Sequence, residues 1–275
     1  MSTAYDSFLR SVAGLAEIDW RKFRRRSARH HLDSRLGQLG LPDYGEYLEY
    51  LRRDRNEVQR LPDLMRVTVS RFFRESVCWR ELSEEVLPAL LASMPAGKPL
   101  RAWSAGCCNG EEPYTLAMCF ETLGSQVHPE KVSGASRIEI LATDIDDDVL
   151  ARAHEGCYQK SSLREIPPEL ISRFFDLDPQ GRGLCLDERA KARVDFQRRN
   201  LMEDLPPTGM DLVLCRYLAF TYYRGARRAR AAAKLHDSLN PGGALMIGCK
   251  ERLLPTETGL FEPWPRTRAI LRRKP

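Results

Sequence analysis

The chain has 275 residues, 43% of them hydrophobic and 29% charged, with a net charge of +5 at neutral pH. That length fits one large domain, or a core domain with a smaller appendage, and the apolar and charged fractions are ordinary for a soluble protein with a sizeable core. No apolar run approaches the roughly 18 residues of a bilayer span, and the amino terminus lacks the charged-then-apolar pattern of a signal peptide, so no membrane insertion and a cytoplasmic location are expected.

Residues 1 to about 90 read as all-helical, with candidates at Tyr5 to Leu15, Asp19 to Leu39, Tyr44 to Arg53 and Glu57 to Leu64. The second carries the basic run Arg21-Lys-Phe-Arg-Arg-Arg-Ser-Ala-Arg-His-His31. That run reads first as a solvated helix face and second as a surface for an acidic partner. Aromatic residues are not interleaved as a base-stacking platform requires, so no specific nucleic acid is expected. A helix from about Ser76 to Met94 follows, and Pro95-Ala-Gly-Lys-Pro99 marks the boundary between residues 1–90 and 91–275.

From residue 100 strands and helices alternate, as a parallel α/β sheet requires. Strands are expected at Arg101 to Ser104, Ile138 to Thr143, Val194 to Phe196, Met210 to Cys215, Ala244 to Gly248 and Thr267 to Arg272. A helix over 227–239 is expected to stop at Asn240-Pro-Gly-Gly243. Residues 166 to 196 break the alternation, and their Pro167-Pro168, Gly181, Gly183 and Leu184-Cys-Leu186 predict a small inserted β-subdomain. The eight cysteines, at 78, 107, 108, 119, 157, 185, 215 and 249, include no Cys-x-x-Cys pair. Neither a metal site nor a disulfide scaffold is expected from that spacing. Most should be reduced, with Cys107 and Cys108 the most reactive toward thiol reagents.

The segment Leu100 to Thr115 carries the chemistry. A strand leads through Ser104 and Gly106 into a turn, and a helix opens on Glu111-Glu112. Such a junction brings backbone N–H groups and bare Cα atoms against a ligand. Two carboxylates there would repel a phosphate but suit a ligand with a cationic amine and sugar hydroxyls; S-adenosylmethionine has both. About 30 residues on, Ile138-Glu-Ile-Leu-Ala-Thr-Asp144 reads as a second strand ending in acid, where a doubly wound fold places its ribose-binding carboxylate. The competing reading is an ordinary α/β turn whose acids merely favour a helix N-terminus, and the strict Gly-x-Gly-x-x-Gly spacing is absent.

The order of these segments resembles the bacterial chemotaxis-receptor methyltransferases, the CheR type, over nearly the whole chain. Leu39-Gly-Leu-Pro-Asp-Tyr-Gly-Glu-Tyr-Leu48 resembles the family's helical-domain signature, Thr68-Val-Ser-Arg-Phe-Phe-Arg-Glu75 its NxTxFFRE segment, and Trp103 to Tyr114 its cofactor loop. Ala142 to Asp146, Asn200-Leu201 and Leu214-Cys-Arg216 resemble the remaining site segments. The resemblance implies an α/β, Rossmann-like methyltransferase sheet preceded by a small all-helical domain, with S-adenosylmethionine as cofactor and a protein glutamate as methyl acceptor. It implies that Arg74 and Glu112 contact the methionine part of the cofactor, Asp144 the ribose, and Asn200 and Leu201 the adenine. Thr68, Ser70, Ser104, Gly106 and Arg216 complete the implied cofactor set. Arg74, Arg216 and Tyr222 are the implied catalytic residues, and the insert would correspond to the subdomain that docks a receptor-tail peptide in some members.

Departures lie on the acceptor side. The family's CRNVxIYF appears as Cys215-Arg-Tyr-Leu-Ala-Phe-Thr-Tyr-Tyr223, so Tyr217 replaces an asparagine and Thr221 stands in register with a tyrosine. Tyr222 comes one position late, and GHSE appears as Gly248-Cys-Lys-Glu251. Tyr217, Thr221 and Tyr222 are expected to line the acceptor side of the pocket. A carboxylate acceptor needs a cation rather than a base, and Arg74 or Arg216 can supply a bidentate grip; a core ion pair with Glu112 or Asp144 is the alternative role for both. None of His30, His31, His128, His154 and His236 falls in a cofactor-loop motif. Three functions follow: a protein-glutamate O-methyltransferase, a related methyltransferase of a small carboxylate or thiol, or a non-catalytic module that holds the cofactor.

Overall fold

The computed structural model describes residues 4–65, 68–95, 97–126, 137–178, 180–181 and 183–274; His128 lies outside them. The chain divides into two compact units, residues 1–68 with 217–230, and residues 69–216 with 231–275.

The first unit is helical, with helices Ala4–Leu15, Arg26–Leu39, Tyr44–Arg53 and Arg55–Leu64. Phe8, Leu9, Val12, Phe23, Leu32, Tyr47, Leu51 and Leu61 form its core. Asp43 caps the third helix by accepting from the Gly45 and Glu46 N–H groups at 2.7 and 3.0 Å, which satisfies two of the donors a helix start leaves open. The helix expected over Asp19 to Leu39 is broken into a 3-10 turn, Trp20–Phe23, and the helix from Arg26. Long-range bonds win over periodicity there: Tyr5 donates to the Phe23 carbonyl at 2.8 Å, and Arg24 grips Asp6 through two bonds of 3.0 and 2.8 Å. Buried Glu57 is held by two 2.8 Å bonds from Arg35 and one of 2.9 Å from the Tyr47 hydroxyl, and the Arg35 bonds hold its carboxyl below the ordinary range. The stretch 217–230 joins this unit through the Glu17 carboxylate, which accepts from the Ala226 and Arg227 N–H groups at 2.9 and 2.8 Å.

The second unit holds strands β1 (Leu100–Ala105), β2 (Ile138–Asp144), β3 (Cys157–Tyr158), β4 (Phe175–Leu177) and β5 (Leu184–Leu186). They are followed by β6 (Val194–Arg198), β7 (Met210–Leu214), β8 (Leu239–Met246), β9 (Phe261–Pro263) and β10 (Ile270–Arg273). Seven of them form one sheet in the order β6-β2-β1-β7-β8-β10-β9. It is parallel from β6 to β8, and β10 and β9 add an antiparallel edge. Ser104 pairs with Ala142 on one side and Leu214 on the other, which aligns the carboxyl ends of the three central strands. The helical stretch Ser76–Ser93 lies in this unit, so the division falls at residue 68 rather than at the proline-glycine stretch. Its Trp79, Leu82, Val86 and Leu87 are buried, so that stretch belongs with the sheet's core.

The small sheet β3-β5-β4 begins at Cys157, earlier than the expected insert. A side chain at Gly183 would put its Cβ 2.2 Å from the Tyr158 carbonyl oxygen, so only glycine fits there. Strand β8 starts at Leu239 and runs through the Asn240-Pro-Gly-Gly243 segment that reads as a stop in sequence. Two disulfides, Cys78–Cys249 and Cys157–Cys185, correct the expectation of reduced thiols. They join positions 171 and 28 residues apart, a proximity no local spacing reveals.

Candidate functional site

The turn after β1 and the ends of β2 and β7 build one constellation. Gly106 and Cys107 donate to the Thr143 carbonyl at 2.8 and 3.0 Å, folding the turn onto β2. Within the turn Gly106 stands at φ 80 and Cys108 at φ 51, both in the left-handed region. Cys108 then donates its N–H to Asp144 Oδ2 at 3.0 Å, and Asp146 donates to Oδ1 at 3.2 Å. The helix Glu111–Gln126 starts from this turn with three residues of consequence, Glu111, Glu112 and Thr115. Thr115 Oγ1 accepts the Phe73 N–H at 3.2 Å, which anchors the Phe72-Phe73-Arg74-Glu75 segment beside the turn.

Glu112 is the centre of a buried polar chain. Ser104 Oγ donates to its Oε1 at 2.8 Å, and an Arg216 nitrogen lies 3.6 Å from Oε2. Arg216 reaches on to Glu75 Oε2 at 3.1 Å and to the Arg74 carbonyl at 2.6 Å. Its guanidinium lies 5.2 Å from the Trp79 ring centroid, and the Trp79 indole donates to the same Arg74 carbonyl at 3.1 Å. Glu75, at φ 63, also accepts the Cys249 N–H at 3.0 Å. Arg216 therefore takes the ion-pair role weighed for it, with Glu112 and Glu75, while Arg74 donates to the Val69 carbonyl at 3.2 Å. Asn200 accepts the Met202 N–H on Oδ1 at 2.9 Å just beyond β6, with partly buried Leu201 beside it.

Burial sets the electrostatics. Desolvation raises the carboxyl pKa values of Glu111, Glu112 and Asp144, against the lowering pull of Arg216 on Glu112 and of backbone N–H groups on Asp144. Glu111 is 2% exposed, accepts from the Ser70 side chain, and keeps one oxygen, Oε2, without a hydrogen-bond partner among the described residues. Burial and the neighbouring acids push the Cys107 and Cys108 thiols well up. This overturns their expected reactivity, because the thiolate is the reactive form.

The implied site residues divide between the units. Ser70, Arg74, Ser104, Gly106, Glu112, Asp144, Asn200, Leu201 and Arg216 lie in the sheet unit, whereas Thr68, Tyr217, Thr221 and Tyr222 lie in the helical one. Tyr222 packs 5.0 Å from the Phe23 ring, and its carbonyl accepts the Asp19 N–H at 2.9 Å. Tyr217 stands at φ 58. The sequence reading gives no separate role to Glu75 or Trp79; Glu75 closes the Thr68 to Glu75 motif, which is the available signal.

In an open α/β sheet, ligands bind outside the carboxyl ends of the strands. A sheet of this order with acids beyond β1 and at the end of β2 defines a Rossmann-like methyltransferase. The chain belongs to the CheR methyltransferase family: residues 68–270 match its SAM binding domain, and residues 3–65 match its all-alpha domain. It is thus an S-adenosylmethionine-dependent methyltransferase. It is 34% identical over 218 residues to a chemotaxis protein methyltransferase of Listeria monocytogenes, covering 79% of this chain and 78% of that protein. A probable chemotaxis protein methyltransferase of Rhizobium etli is 32% identical over 236 residues, covering 84% of this chain and 85% of its own. An uncharacterised 104.1 kDa protein of Rhodobacter capsulatus is 32% identical over 241 residues, which are 88% of this chain but 24% of that protein.

The residues present fit the cofactor. Three buried carboxylates at two adjoining segment ends, one with an oxygen that has no hydrogen-bond partner among the described residues, suit a cationic ligand bearing hydroxyls. No helix among the described residues is long and apolar enough to cross a membrane.

Proposed function

We propose that this methyltransferase esterifies a glutamate carboxylate of a protein in the cytoplasm. Bound at the site, S-adenosylmethionine supplies an electrophilic methyl group on a sulfonium. Asp144, fixed by the Cys108 and Asp146 N–H groups, takes the ribose hydroxyls, and Glu112, fixed by Ser104 and Arg216, faces the amine. Asn200 and Leu201 flank the adenine. Ser70 supports this wall through Glu111, and Gly106 gives the turn its left-handed bend. Thr68 opens the segment that carries Arg74.

A carboxylate is already a nucleophile at neutral pH, so the protein's part is to hold it in line and exclude water. Arg74 offers the guanidinium fork for that grip, and Arg216 acts behind it as a positioning residue through the Arg74 carbonyl. The observation that carries the reading is the buried Ser104–Glu112–Arg216–Glu75 chain, which fixes the Glu112 carboxylate beside the turn after β1, where a cationic amine would lie. The relatives named chemotaxis protein methyltransferases support a protein acceptor.

A second reading, a small carboxylate or thiol as acceptor, is favoured by Tyr217 and Thr221 standing in place of the family's asparagine and tyrosine. Incubation with methyl-labelled cofactor and a chemoreceptor cytoplasmic fragment decides between them. Label on the fragment that alkali releases as methanol supports the glutamyl ester. Absence of label on the fragment, with label on an added small carboxylate or thiol, rejects it.

A further inference from the structure

We propose that Cys78 and Cys249 form a thiol–disulfide exchange site that sets how tightly the cofactor pocket is held. Cys78 lies fully buried in the helix Ser76–Glu81, three residues after Glu75. Cys249 is partly exposed in the turn after β8, at a position where the family pattern has histidine. The bond between them ties together two segments 171 residues apart. Both segments already meet at Glu75 Oε2, which accepts from the Cys249 N–H at 3.0 Å and from Arg216 at 3.1 Å. Cys78 itself donates its N–H to the Glu75 carbonyl at 2.8 Å. Its neighbour Trp79 donates to the Arg74 carbonyl that Arg216 also uses. One covalent bond therefore closes the ring of contacts that aims Arg216 at Glu112.

Exchange begins at the sulfur of Cys249, the partly exposed residue of the pair. A thiolate of a dithiol reductant attacks it, the S–S bond breaks, and Cys78 leaves as a thiolate that takes up a proton. The second thiol of the reductant then loses its proton and closes on the mixed disulfide, which releases Cys249 as a thiol. The protein disulfide gains two electrons and two protons, and the reductant ends as its own disulfide. Disulfides in reducing compartments are usually transient or redox-sensing rather than permanent staples. Once the bond is open, the Cys249 turn and the Ser76–Glu81 helix are no longer tied. Glu75 then holds Arg216 by hydrogen bonds alone, and a looser Arg216 holds Glu112 less firmly for the cofactor.

The proposal rests on the cofactor pocket assigned above. Titration calorimetry with S-adenosylmethionine on the full chain, with a chelator present, compares protein treated with oxidised and with reduced dithiothreitol. Alkylation followed by mass spectrometry reports the state of each cysteine. Reduction should raise the Kd roughly five- to tenfold, at the low end of couplings between linked sites. A Cys78→Ser, Cys249→Ser double variant should keep the weaker value in both buffers, and a Cys157→Ser, Cys185→Ser variant should still respond. Should the double variant fail to fold, the comparison on the unmodified chain still decides. Equal Kd values in the two states, or free Cys78 and Cys249 thiols after oxidation, overturn the proposal while leaving the pocket in place. No binding in either state overturns the pocket and the proposal together.

Discussion

Replacing Arg216 by methionine tests the wiring of the site most directly. The Arg216 side chain is 4% exposed, and its partners Glu112 and Glu75 are 11% and 20% exposed. Removing one member of a buried ion pair costs about 3–5 kcal/mol, because the charge left behind is uncompensated. Here the carboxylates keep other donors, Ser104 for Glu112 and the Cys249 N–H for Glu75. Methionine also retains much of the aliphatic packing against Trp79. The loss should therefore fall at or just below the bottom of that range, about 2–3 kcal/mol at neutral pH.

The sign of its pH dependence follows from Glu112. Burial already raises its carboxyl pKa, and Arg216 is the largest opposing influence. Without that cation the folded-state pKa climbs further above the unfolded one. A carboxyl in that position contributes stability fully present below its unfolded pKa and lost as pH rises through the folded pKa. The deficit of Arg216→Met should accordingly be largest at neutral pH and shrink as the solution is acidified through the raised Glu112 range. Urea unfolding of both proteins across that range measures it. A Glu112→Gln substitution added to Arg216→Met should recover part of the neutral-pH loss, since it removes the stranded charge. A deficit independent of pH, or one the second substitution deepens, would refute the view that Arg216 serves Glu112.

Glu112→Ala and Asp144→Ala should each weaken S-adenosylmethionine binding by about 1–3 kcal/mol, the cost of losing a hydrogen bond to a charged group, and calorimetry showing unmodified affinity in both would mean the crevice is elsewhere. Glu111, Glu112 and Asp144 all carry carboxyl pKa values raised by burial. Because a cationic ligand favours their ionised forms, affinity should fall as pH drops through that raised range, with protons released on binding; proton uptake on binding would contradict this. Tyr217 holds φ 58, a conformation that costs a residue with a Cβ about 1–2 kcal/mol and that asparagine tolerates. Tyr217→Asn should leave the protein as stable or up to about 1 kcal/mol more stable in thermal unfolding, and a clear drop in Tm would show that packing of the ring dominates.

The parts of the site that were legible in sequence are those whose cause is local. A strand, a glycine turn and a helix opening on Glu111-Glu112 announce themselves within about sixteen residues, and Asp144 follows from where the second strand must end. The basic helix was half legible. Its periodicity runs on through Arg24, but the Arg24–Asp6 pair spans 18 residues and ends the 3-10 turn where periodicity alone would not. What stayed hidden was the support. Glu75 takes its meaning from partners 141 and 174 residues away, and the Cys78–Cys249 bond from one 171 residues away. Such contacts leave no spacing signal because the fold, not the chain, makes them neighbours. The same division explains the two arginines. Arg74 and Arg216 look alike in sequence, each a basic residue in a site motif. Only packing separates Arg216, committed to two carboxylates and a carbonyl, from Arg74, whose guanidinium donates to the Val69 carbonyl and adds a weaker lowering pull on the Glu112 carboxyl. An arginine engaged as Arg216 is cannot also clasp an acceptor carboxylate without giving up Glu112, so Arg216 suits the positioning role proposed for it.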